Sequence, residues 1–151
     1  MNAHTNSPRP PDNHPIAAEA EALVRLAAAE ITRPDPHECL ACFVFRQVVE
    51  FGCDGRLRFA SRFRDCAAPR ATAMLRRLAE LGGHCDGEIF LNVYRPRWAL
   101  WRLLGALEPE PGFDGDEPSG RTSVQEAPDC LLVRTGSTQP CQLWEPVSRR
   151  G

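Results

Sequence analysis

Three short cysteine-bearing stretches are the parts of this chain able to do chemistry: Cys39-Leu40-Ala41-Cys42, Gly52-Cys53-Asp54 and Gly82-Gly83-His84-Cys85-Asp86. Thiolates beside imidazole and carboxylate are a metal-ligating set, because zinc takes four such donors at about 2.0 to 2.3 Å. The Cys-x-x-Cys pair is by itself a weak signal for metal, because no second such pair stands at zinc-ribbon distance. The chain has seven cysteines. An odd count in a reducing compartment reads as thiols or metal ligands and not as a disulfide framework. Two other readings compete. Cysteine is often buried as a small inert hydrophobe. A thiol in a helix first turn, as expected for Cys39, is also activated for redox work, although no thioredoxin-like strand precedes it.

The elements that must position these thiols are helical. Apolar residues recur at helical spacing over 16–31 behind Pro15, which predicts a first helix. Asp35-Pro36-His37-Glu38 has the form of a capping box, so a second helix is expected over 36–51, stopping at Gly52. Asp54 can cap a third helix with Leu57, Phe59, Ala60 and Phe63 on its apolar face, ending near Asp65 or Cys66. Pro69 opens a fourth, with Ala71, Met74, Leu75 and Leu78 inward and Gly82-Gly83 as its C-cap. Alternation over 88–94 predicts a short strand, and Trp98, Trp101, Leu104 and Leu107 predict a last helix over 97–107. Cys130 to Val133 and Gln142 to Trp144 read as two strands around a turn. The fold class is therefore mainly α: a small domain of antiparallel helices with one or a few short β-strands.

Helix length separates the thiols. A continuous second helix rises about 1.5 Å per residue, which places Cys53 roughly 20 Å from Cys39. With short connections making the second to fourth helices antiparallel neighbours, Cys53 and Cys85 meet at one end. Two candidate metal clusters follow. One is Cys53 and Cys85 with His84, Asp54, Asp86 or Glu88; the other is Cys39 and Cys42 with His37 and Cys66. Zinc is the expected cofactor if either binds metal.

Composition sets the remaining bounds. The chain has 151 residues, 42% of them apolar, enough for one domain with its own core. Residues 1–15 read as a disordered arm, 16–107 as the helical core, 108–121 as an acidic Pro/Gly linker and 122–151 as a C-terminal tail or hairpin. No membrane-length apolar stretch or signal peptide is apparent, so a soluble cytoplasmic protein is expected. The net charge of -2 argues against a globally basic nucleic-acid binder. Locally the balance reverses: seven arginines stand against the single acid Asp65 between Arg56 and Arg77. Arg58 and Arg62 would lead a weak nucleic-acid or acidic-protein interface there; the plainer reading is a solvated helical face.

Residues 38–96 resemble the bacterial family catalogued as domain of unknown function 2695. The shared words are Gly52-Cys53-Asp54 followed by Leu57-Arg58, and Gly82-Gly83-His84-Cys85-Asp86-Gly87-Glu88 followed by Asn92. The family pattern has a second cysteine where this chain has Gly87. Some members also carry the Cys39-x-x-Cys42 pair. The resemblance implies a domain boundary and a site location, and supplies no reaction. The combined expectation is a non-enzymatic protein whose cysteine cluster is structural or zinc-binding. A binding module using the arginine face is the alternative, and a thiol redox protein comes third.

Overall fold

The computed structural model describes residues 15–105 and 127–148, so the arm expected before residue 15 and the linker expected at 108–121 lie outside the described residues. The chain divides into two compact units, Met1–Ile31 and Thr32–Gly151. In the first, α1 runs over Pro15–Ile31, and its side chains are exposed along their whole length. No helix among the described residues is long and apolar enough to cross a membrane.

The second unit is mainly helical: α2 (Leu40–Phe51), α3 (Arg58–Ala67), α4 (Met74–Glu80), a π-helical turn (Ile89–Val93), β1 (Tyr94–Pro96), α5 (Trp98–Leu103) and β2 (Trp144–Pro146). Its main core joins Leu40, Phe43 and Val44 of α2 to Phe59, Ala60 and Phe63 of α3 and Met74 and Leu78 of α4, closed by Ile89 and Val93. These are the apolar faces that the helical spacing marks. A smaller core gathers Cys39, Ala41, Trp101, Cys141, Leu143 and Trp144.

Several elements differ from expectation, among them the third helix, which begins at Arg58 with Leu57 and not Asp54 as its N-cap. The capping-box contact at Asp35 forms, with its amide donating to Glu38 Oε2 at 2.9 Å, but it closes a turn and not a helix. His37 sits in the left-handed region at φ 63°, and its carbonyl accepts from Val133 N at 2.9 Å. The helix therefore begins at Leu40, with Cys39 as its N-cap. The fourth helix begins at Met74 and not at Pro69, because turns at residues 69–73 intervene. The expected strand over 88–94 is a π-helical turn: Ile89 and Val93, four apart, are both buried, whereas Leu91, which a strand would place beside them, is exposed.

The Gly82-Gly83 C-cap forms as the sequence suggests. Gly82 has φ 88°, and Gly83 N reaches back to Leu78 O at 2.8 Å, the six-to-one bond of a Schellman motif. Any Cβ at Gly83 would stand 2.9 Å from Val93 Cγ2. Asn92 Nδ2 adds a bond to Gly82 O at 2.8 Å, locking the end of α4 to the π-helical turn.

The C-terminal residues dock on this frame. Instead of pairing with residues 130–133, which form no strand, β2 pairs antiparallel with β1 in the register Tyr94↔Pro146, Arg95↔Glu145 and Pro96↔Trp144. The Leu143 carbonyl accepts from Arg97 N at 2.8 Å and from the buried Trp101 Nε1 at 3.0 Å. Three-residue strands are too short to hold by themselves; here the edge-to-face rings of Trp101 and Trp144, 5.3 Å apart, lie beside them.

Candidate metal centre

Cys39, Cys42, Cys130 and Cys141 converge, with their four sulfurs all within 4.8 Å of one another. The N-terminus of α2 supplies the first two. Cys39 Sγ accepts the Cys42 amide at 3.3 Å as the helix N-cap, so the Cys-x-x-Cys spacing turns both thiols to one side. The C-terminal segment supplies the others. Cys130 Sγ accepts the Cys39 amide at 3.3 Å, and Cys141 Sγ lies 3.6 Å from Cys42 Sγ. Trp144 Nε1 donates to Cys42 Sγ at 3.2 Å. N–H groups aimed at sulfur stabilise thiolate and orient a ligand.

The surroundings are dry on one side and ionic on the other. Phe45 packs edge-on against Trp101 at 5.7 Å and against Phe90 at 5.2 Å, and Cys39 and Cys141 are buried. Next to Cys39, the buried Glu38 takes a two-pronged bond from Arg46 at 2.8 and 3.1 Å. Hydrogen bonding with Cys141 pushes the Cys39 thiol up to about 12. The same partner, then Cys39 and burial, raises Cys42. Accepting from those two holds Cys141 down at about 2. One thiolate braced by neighbouring thiols is a site built to hold negative sulfur.

The thiols that complete the Cys39–Cys42 cluster are thus Cys130 and Cys141, not His37 and Cys66. His37 Nδ1 pairs with Thr135 Oγ1 at 3.0 Å, and Cys66 is exposed near the end of α3. The sequence reading missed Cys130 and Cys141; their one signal was that they are the two remaining thiols, flanking a Gly- and Pro-bearing turn.

Cys53 and Cys85 lie together beyond the other end of α2, about 18 Å along a twelve-residue helix. Both sulfurs lie within 4.0 Å of where a Cβ at Gly87 would stand, Gly87 N donates to Cys53 Sγ at 3.3 Å, and Glu88 N donates to Cys85 Sγ at 3.4 Å. The carboxylates expected to complete that site are engaged elsewhere. Glu88 Oε2 accepts from His84 N at 2.8 Å, and Asp54 Oδ1 accepts from Arg56 N at 3.0 Å. Asp86 is fully buried and caps α3, accepting from Phe59 N at 2.9 Å and Ala60 N at 3.0 Å. Burial raises its pKa, while those amides pull it down.

The arginine face is largely tied to its own chain. Arg58 lies 4.2 Å over the Phe59 ring and 3.8 Å from Asp54, and Arg62 Nε donates to Thr32 O at 3.3 Å.

A chain with a helical thiol-bearing core of this kind is matched over residues 40–92 by the family described as Protein of unknown function (DUF2695). The matched segment runs from the start of α2 into the π-helical turn and includes Cys42, Cys53 and Cys85. The match ends well before Cys130 and Cys141. No curated protein and no solved structure matches the chain.

Proposed function

We propose that Cys39, Cys42, Cys130 and Cys141 bind one zinc ion, as a structural and non-enzymatic centre that fastens the C-terminal segment to the start of α2. The observation that carries this is the convergence of four sulfurs within 4.8 Å. A tetrahedron with zinc–sulfur bonds of about 2.3 Å has edges of about 3.8 Å; the Cys42–Cys141 separation of 3.6 Å is already close to that. Four protein thiolates leave no coordination position for water or substrate, which is the pattern of a structural site and not of a catalytic one. Zinc bound by the folded chain alone adds directly to folding stability. A reducing compartment such as the cytoplasm keeps these thiols available for the ion.

The test is elemental analysis of protein purified without chelator. One zinc per chain is expected, lost in Cys141→Ser and Cys130→Ser and kept in Cys53→Ser. Full zinc content in Cys141→Ser, or iron in place of zinc, would overturn the assignment.

A further inference from the structure

The four-cysteine centre does not use Cys53 and Cys85, and their surroundings differ from it in each respect that decides thiol chemistry. Cys53 is exposed and Cys85 half-buried. Among the described residues, no third His, Cys, Asp or Glu ligand atom joins them in a metal-sized cluster. Two thiols without further ligands make a poor metal site. They are, however, the two partners a disulfide needs. Their loops are pinned together: Asp86 N bonds Arg56 O at 3.0 Å, and the Asp86 carboxylate grips the start of α3. Gly87 brings no side chain to either sulfur, and both are close to it: a Cβ there would stand 3.4 Å from Cys53 Sγ and 4.0 Å from Cys85 Sγ.

We propose that Cys53 and Cys85 form a redox-active dithiol, which closes to a disulfide by exchange with a low-molecular-weight disulfide. Cys53 is the attacking thiol. It is the more accessible, and amides of Gly55 and Gly87 lower its pKa, whereas burial raises that of Cys85. An accessible, activated cysteine beside a resolving one is the arrangement of redox-sensing pairs. The Cys53 thiolate attacks one sulfur of the small disulfide and expels one small thiolate, leaving a mixed disulfide. Cys85 then loses its proton and attacks the Cys53 sulfur, expelling the second small thiolate. Two protein thiols become one protein disulfide, and one small disulfide becomes two small thiols, so electrons and protons balance.

The experiment treats the native full chain with oxidised glutathione, blocks remaining thiols with an alkylating agent, and digests with trypsin without reduction. Cleavage at arginine, which spares the Arg95–Pro96 bond, places Cys53 alone in residues 47–56 and Cys85 alone in residues 78–97, while the exposed Cys66 falls in residues 65–70 as an internal control. The expected product is the 47–56/78–97 pair joined by a disulfide and released by dithiothreitol, with Cys66 joined to neither. In Cys85→Ser, Cys53 should stop at the glutathione mixed disulfide. Recovery of wild-type Cys53 only as alkylated thiol or only as the mixed disulfide would overturn the proposal, as would a link from Cys53 to any other cysteine. Zinc content of the same samples reports separately on the four-cysteine centre.

Discussion

Asp86 offers the sharpest test of how the fold holds its thiols, because one buried side chain both starts a helix and fixes the Cys85 loop. Asp86→Ala removes two acceptors at once, those of Phe59 N at 2.9 Å and Ala60 N at 3.0 Å. The side chain is fully buried, so both amides lose their partner where water has poor access. A buried donor left without a partner costs about 1 to 3 kcal/mol, and losing an N-cap about 0.5 to 2 kcal/mol. Those two ways of counting describe the same bonds; with some relaxation of the loop, the expected loss is about 2 to 4 kcal/mol. That is a large share of the roughly 5 to 15 kcal/mol of a typical domain, and corresponds to a melting temperature about 8 to 16 °C lower. Because burial raises the Asp86 pKa, acceptor geometry and not net charge supplies the stabilisation. Asp86→Asn, which keeps one acceptor oxygen and turns a donor toward a donor, should therefore also destabilise, by less than Asp86→Ala. Urea unfolding followed by circular dichroism measures all three proteins. A loss below about 0.5 kcal/mol in Asp86→Ala would refute the capping role.

Zinc uptake should strengthen steeply with pH. Before metal binds, Cys39, pushed up to about 12, and Cys42, also raised, hold protons at neutral pH, while Cys141, near 2, is already thiolate. Binding must expel at least those two protons, so the apparent affinity should rise at least about a hundredfold per pH unit, and fall equally as the solution is acidified. Competition against a zinc-binding dye, corrected for the dye's own protons, measures that slope; a flat profile would contradict the ligand set. Gly87→Cys should turn the dithiol into a metal site, since the new side chain starts 3.4 Å from Cys53 Sγ and 4.0 Å from Cys85 Sγ. Three thiolates and a water satisfy zinc, so content should rise from one toward two per chain; an unchanged value would show that the third thiol cannot reach.

What was legible in the chain depended on whether its cause was local. The apolar face of α3, the stop of α2 at Gly52 and the glycine cap of α4 arise from residues a few positions apart, and pattern alone exposes them. The start of α2 does not. His37 adopts a left-handed conformation where its carbonyl meets Val133, a partner nearly a hundred positions away that no local rule anticipates. The π-helical turn misled for a related reason. Ile89, Leu91 and Val93 alternate like a strand, yet the core accepts only Ile89 and Val93. The four-cysteine cluster was half legible: Cys39 and Cys42 stand at a recognisable spacing, whereas Cys130 and Cys141 come from a segment that packs with Trp101, Leu143 and Trp144.

The two thiol groups show how ligand count and burial divide one chemistry into two. Both begin as cysteines receiving backbone N–H bonds near an end of α2. At the N-terminal end, four sulfurs meet under aromatic rings, so a cation can satisfy all of them and solvent has little access to attack. At the C-terminal end only two sulfurs meet and one faces solvent, which leaves bond formation between them as the chemistry available. Metal at the first centre would also steer oxidation to the second. An ion holding Cys39, Cys42, Cys130 and Cys141 removes four competing thiols from exchange, so that oxidation is directed to Cys53 and Cys85. Stripping the zinc before adding oxidised glutathione should then scatter disulfides across both groups, whereas the loaded protein gives the single Cys53–Cys85 link.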